Sequence, residues 1–365
     1  YITYLLGIIW YSISEGQFIN QLTAEQAILI GRYLSAICGT LLIPFVFVLA
    51  KQIGISKPYR LIASGQTTIF VGLIQYSHFA TFEIFLTTFY LLISILSVSI
   101  LNQSSLKKYL LLGLLIGLSV GTKIVSIYLL AIPFILSIME RIMDISQENS
   151  DYSSFQAFFK SIHYKMFFNK KISIALITAG VVFAITNPYF ILDFESVQSS
   201  LKYEREVATG TLPVFYTRTF IDTTPVLFQL KSVLPFISGP LFTIFGTLAT
   251  VAMLIWSLAQ SNQKSLKVLV VMAVLYGYLI IHLSSYVKWT RYMIPVLPFM
   301  AISFVWMWEK LLKWIKSKTI QIILATIIVM IIFEVGMRGL SFFTLYTQPD
   351  SRVEAATWTA ENIPQ

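Results

Sequence analysis

Long stretches of almost uninterrupted apolar residues run through this sequence, at 27–50, 61–79, 83–101, 109–122, 124–139, 172–191, 232–259, 268–284, 292–308 and 319–338. A helix needs about 20 residues to cross a hydrocarbon layer roughly 30 Å thick, and shorter runs suffice where neighbours bury their ends. Within lipid the backbone must satisfy its own hydrogen bonds, so such runs fold as helices. The pattern predicts an all-α polytopic membrane protein, a bundle of about ten transmembrane helices with further helices at the outer interface. With 56% hydrophobic and 12% charged residues, the chain has too little polar surface for a soluble domain.

No linker, low-complexity tract or short repeat divides the 365 residues. Residues 1–26 are expected to form an outer interfacial helix and loop, the alternative for the first fourteen being the tail of a transmembrane helix. Residues 27–338 would form the bundle, with a cytoplasmic loop at 140–171 and an outer loop at 192–231. Residues 339–365 would begin an extracytoplasmic C-terminal region. The opening at Tyr1 without Met and the stop at Gln365 read as a piece of a longer protein.

Charge sets the orientation. If the runs alternate sides, loops 51–60, 102–108, 140–171, 260–267 and 309–318 share one face and hold sixteen of the 26 basic residues but five of the 17 acids. That face is cytoplasmic by the positive-inside bias. The runs on either side of Lys123 have basic flanks at both far ends, Lys107 and Lys108 before and the 140–171 loop after, so the chain must turn back at Thr122-Lys123. The stretch SFQAFFKSIHYKMFF within the cytoplasmic loop reads as an amphipathic surface helix, with His163 solvated. The net charge of +9 lies in short clusters between apolar runs, which argues against nucleic acid as a partner. The lone Cys38 allows no disulfide or cysteine metal site.

Polar residues left on the outer side mark the candidate site. Glu83 opens a descending helix after QYSHFATF, where an acid can complement the helix dipole, bind a divalent metal or accept a proton. His78 precedes it in the same turn, without a second histidine at ligand spacing. Lys123 lies between two short helices and suits an anionic group such as phosphate, or else snorkels to headgroups. Lys288, Arg291 and Tyr292, beside Trp289, precede a helix restrained by Pro295 and Pro298; they read as a cradle for a phosphorylated lipid or as an ordinary aromatic belt. Asp193 and Tyr203 stand in the outer loop, with Glu195, Glu204, Arg205 and Glu206.

In order and topology these segments resemble the GT-C superfamily of membrane glycosyltransferases, in the branch of the protein O-mannosyltransferases (glycosyltransferase family 39) and the lipid A aminoarabinose transferase. The matching stretches are IGRYLSAICGTLLIP with Gly31, Arg32 and Ser35, SHFATFE, GLSVGTK, TNPYF and RYMIPVLP. The resemblance implies transfer of a sugar from a polyprenyl- or dolichyl-phosphate donor to a protein or lipid acceptor on the extracytoplasmic side. It implies a bacterial or archaeal plasma membrane, or the ER membrane in a eukaryote, with membrane lipids as surroundings. Lys123, Lys288, Arg291 and Tyr292 would hold the donor phosphate, while His78, Asp193 and Tyr203 would line the substrate site. Glu83 would be a second acid and a possible ligand of Mg or Mn, the main catalytic acid lying upstream of Tyr1 in the first outer loop. The main rival is a polytopic transporter or lipid flippase, which places polar groups on broken helices near the bilayer midplane, and a second is a non-catalytic assembly subunit of a membrane complex.

Overall fold

The structure is a computed structural model that describes residues 2–148, 169–260 and 262–363. The expected surface helix at 154–168, with His163, lies outside the described residues. Those described are helical or connecting, with no strand among them.

Local chemistry sets many of the breaks. Helix α1 spans Ile2–Glu15 and packs on α2, Ala24–Gln52. Thr23 starts α2 with a reciprocal cap: its hydroxyl accepts from the Gln26 amide at 3.2 Å, and the Gln26 side chain accepts from the Thr23 amide at 2.9 Å. The run expected at 61–79 is two helices, α3 (Lys57–Ile69) and α4 (Val71–Ser77), separated by an extended Phe70 with φ −66° and ψ 121°. Glu83 opens α5, Glu83–Asn102, and Ser105 caps α6, Leu106–Thr122. Lys123 is extended, with φ −154° and ψ 121°, and breaks the helix. A 3-10 segment, Ile124–Ala131, then leads into α7, Ile132–Glu148. Asn169 caps α8, Lys170–Thr186, which ends just before Pro188.

Outside the bundle, α9 (Phe194–Thr209) is capped by Asp193 at one end and by Gly210 at the other. Gly210 has φ +79°, the left-handed region that glycine enters without steric cost. A 3-10 turn at Phe215–Phe220 and a π turn at Gln229–Val233 return the chain to α10, Pro240–Ala259. Then come α11 (Gln263–Leu283), a 3-10 turn at Thr290–Val296, α12 (Leu297–Trp314), α13 (Lys318–Phe343) and α14 (Ser351–Asn362).

Among the described residues, seven helical stretches are long and apolar enough to cross a membrane: Ala24–Gln52, Glu83–Asn102, Ile124–Asp144, Pro240–Ala259, Gln263–Leu283, Thr290–Trp314 and Lys318–Asn362. Three of the ten expected runs fall short. One is bent at Phe70, and α6 and α8 have 17 residues each. These two short helices pack against each other, with Gly113 and Gly117 of α6 facing the carbonyls of Ala175 and Ala179. Small residues let backbones meet where lipid gives no hydrophobic drive between helices.

The chain reverses at Lys123 as its flanking charges require. Tyr109 near the start of α6 donates to Glu140 of α7 at 3.2 Å, and Lys171 at the start of α8 pairs with the same carboxylate at 3.0 Å. Other expected cytoplasmic loops also meet. Glu309 accepts from the Ser56 amide at 3.1 Å and pairs with Lys313 at 2.5 Å, while Lys264 reaches the Gly54 carbonyl at 3.5 Å. Polar groups thus gather at two poles, with an apolar core of α5, α11 and α12 between them.

Candidate active site at the pole opposite the basic loops

Three chain breaks converge at the pole opposite the basic loops: the start of α5, the end of α6 and the turn before α12. Glu83, the first residue of α5, has a side chain only 1% exposed. A buried carboxylate needs compensation, and the α5 N-terminus and Arg291 provide it. The Arg291 Nε lies 3.9 Å from Glu83 Oε1. That spacing is an ion pair but too long for a hydrogen bond, so both Glu83 oxygens and the Arg291 Nε are without hydrogen-bond partners. The rest of the Arg291 side chain opens outward, 43% exposed.

Lys123 arrives from the α6 break. Its ammonium sits 4.3 Å from the centre of the Tyr292 ring and 5.0 Å from that of Phe82. The Arg291 guanidinium lies 5.6 Å from the same Tyr292 ring and 5.9 Å from Trp289. Two cations therefore share one aromatic plate, with an acid behind one of them.

Cavities surround this group. One of about 460 Å³ is lined by Tyr76, Glu204, Tyr216, Trp289, Arg291 and Tyr292 among others. Another, of about 700 Å³, runs past Lys123 along Gly121, Asn187, Tyr189 and Leu201. The first combines ring faces with a carboxylate and a guanidinium, a lining suited to a hydroxyl-rich, anionic ligand.

The other expected site residues lie elsewhere. Lys288 is buried, donates to the Tyr286 carbonyl at 2.6 Å and packs over the rings of Phe220 and Tyr286. Burial pushes its ammonium below the ordinary lysine value. It thereby fastens the segment between α11 and α12, where Tyr286 and Ser285 both donate to the Ala208 carbonyl, at 3.0 Å each. His78 stacks on Tyr346 with ring centres 3.9 Å apart, beside a cavity that Arg291 does not line. The Asp193 carboxylate accepts from the Ser196 amide at 3.3 Å as a helix cap. Tyr203 does not line the Arg291 cavity but hydrogen-bonds Tyr216, which does, at 2.8 Å.

Sequence reasoning did not single out Tyr76, Tyr216 or Glu204 as cavity residues. Tyr76 sits two positions before His78, and a short helix bent at Phe70 turns it to the site. Among the described residues no three His, Cys, Asp or Glu side chains cluster as a metal cage. Glu83 faces a guanidinium, which disfavours a second cation beside it.

Residues 9–193, just over half of the chain, match the family described as dolichyl-phosphate-mannose-protein mannosyltransferase. Among solved structures, the chain is similar to the oligosaccharyltransferase of Archaeoglobus fulgidus tethered with an acceptor peptide containing the NVT sequon. The TM-score is 0.57 at 15% identity, over 99% of this chain and 49% of that one. The apo form of the same enzyme gives 0.55 at 14%, over 99% and 50%. Its complex with Zn and sulfate gives 0.56 at 14%, over 99% and 46%. The chain thus spans about half the length of these structures. Comparison with curated proteins by sequence gives no match.

Proposed function

This chain belongs to the dolichyl-phosphate-mannose-protein mannosyltransferase family, and from that premise we propose that its outer pole transfers a sugar from a polyprenyl- or dolichyl-phosphate donor to a protein acceptor. The GT-C fold shared with the oligosaccharyltransferase supports the reading, and the family match argues against a transporter or flippase. The observation that carries it is the convergence of Glu83, Arg291 and Lys123 around Tyr292.

In the reaction the bond between the sugar's anomeric carbon and the phosphate oxygen breaks, and a bond from that carbon to the acceptor hydroxyl oxygen forms. Negative charge grows on the leaving phosphate, while the acceptor hydroxyl gives up its proton to a base. Lys123 and Arg291 stabilise the phosphate charge in a water-poor setting, where fixed cations act most strongly. Glu83 keeps the Arg291 side chain in place and orients the acceptor as a second acid. A divalent ion such as Mg²⁺ or Mn²⁺ would find at most one ligand in Glu83, and no step here runs through it. The active pole faces away from the cytoplasm, as the basic loops at the other end favour.

Lys123→Ala or Arg291→Ala in the whole protein, reconstituted in liposomes with dolichyl-phosphate mannose and a peptide acceptor, should lower transfer by at least about a hundredfold at normal expression. Transfer at the unmodified rate would overturn these roles. Labelled lipid in place of labelled peptide as product would replace the protein acceptor with a lipid one.

A further inference from the structure

His282 lies near the end of α11 at the outer pole and is 5% exposed. Its ring centre is 4.3 Å from that of Tyr278, one turn earlier on the same helix, and 4.4 Å from that of Tyr292. Its backbone carbonyl accepts from the side-chain amide of Gln229 at 3.4 Å, and Gln229 is itself buried in the π turn. The imidazole Nε2 has no hydrogen-bond partner.

The role of the ring lies in what it touches. Tyr292 carries the Lys123 ammonium at 4.3 Å and the Arg291 guanidinium at 5.6 Å from its centre. A cation held by a ring goes where the ring goes. Tyr292 belongs to a 3-10 turn, whose hydrogen-bond geometry is poorer than that of an α-helix, so the ring depends on its packing for a fixed place. Among the neighbours of the ring is His282 of α11, which packs against it with centres 4.4 Å apart and does not line the Arg291 cavity.

We infer that His282 is a positioning residue: its imidazole holds the Tyr292 ring from inside the bundle and thereby sets where Lys123 stands relative to Arg291 and Glu83. The inference deepens the transferase reading, and its consequence for donor binding rests on that reading. The geometric part, a ring that controls the mobility of Lys123, stands apart from the reaction.

The test compares His282→Ala, which removes the ring, with His282→Phe, which keeps a ring without nitrogens, in the whole protein in lipid nanodiscs. Two quantities are read: the rate at which an amine-reactive probe acylates Lys123, resolved by mass spectrometry, and the KM values for dolichyl-phosphate mannose and for the peptide. His282→Ala should speed Lys123 acylation severalfold and raise the donor KM by about tenfold, since small displacements of positioning groups are costly, while the peptide KM stays unchanged. His282→Phe should restore both to near the unmodified values. If His282→Ala leaves acylation and donor KM unaltered, the inference is overturned. It is equally overturned if His282→Phe folds but behaves like the alanine variant, which would make a ring nitrogen the active feature. Should the unmodified protein show no transfer, the functional reading fails while the acylation rates still decide the role of His282. If the alanine variant does not fold, His282→Leu, which keeps side-chain bulk without a ring, takes its place, and unaltered Lys123 acylation and donor KM in that variant overturn the inference.

Discussion

Lys123 and Lys288 both meet aromatic rings, yet their side chains end in different company. The Lys288 ammonium donates to the Tyr286 carbonyl and is shut in by Phe220 and Tyr286, so it serves the fold of the segment between α11 and α12. The Lys123 ammonium has rings around it and a cavity beside it, which leaves its charge available to a ligand. Hydrogen bonding likewise fixes the state of Tyr216. The Tyr203 hydroxyl holds the Tyr216 phenol above the ordinary tyrosine value, with burial adding in the same direction. A raised folded value favours the neutral form, so the bond's contribution is present below the unfolded value of about 10 and is lost as pH rises through the folded one. Tyr203→Phe should bring Tyr216 ionisation back toward about 10, followed by tyrosinate absorbance as a difference titration. A Tyr216 titration that does not move would mean that the two hydroxyls are not bonded.

At the scale of elements, the pairing of α6 with α8 brings Lys123 to the site. Each has 17 residues, short for a span, and the two compensate by packing backbone against backbone. A Cβ at Gly113 would overlap the Ala175 carbonyl, which a stiff helix cannot move aside. Gly113→Ala is expected to destabilise the protein by about 1–3 kcal/mol, read as a lowered melting temperature in detergent. Gly180→Ala, where the added Cβ meets nothing within 4 Å, is the control and should leave melting unchanged or slightly raised. The bend between α3 and α4 has a parallel effect, since it directs Tyr76 to the Arg291 cavity and leaves His78 against Tyr346.

Across the whole molecule, charge separates into two ends. Glu83 and Arg291 pair near the starts of α5 and α12, and both helices run from there toward the basic pole. That pole holds the cluster of Glu309, Ser56, Lys313 and Lys264. The orientation predicts a labelling pattern. With Cys38 replaced by Ser, a cysteine at exposed Lys107 should react with a membrane-impermeant maleimide only in inside-out vesicles, and one at exposed Ser200 only in right-side-out vesicles. Both reacting from the same side would break the two-pole arrangement, and the proposed convergence of donor and acceptor with it.

The sequence by itself determined the membrane class, the position of most helices and the reversal at Lys123, because apolar run length and loop charge are local quantities that lipid reads directly. It also marked Glu83, Lys123 and Arg291, since charges at helix ends beside hydrocarbon stand out in any run of apolar residues. Only the tertiary structure decided that Lys123 and Arg291 share the Tyr292 ring, with Glu83 beside Arg291, while Lys288, His78 and Asp193 meet other partners. Which ring or carbonyl a long side chain finds depends on the crossing of helices far apart in the chain. The same distance hid His282: a histidine inside an apolar helix gives no local sign that a tyrosine ten residues later, on another element, will fold back against its ring.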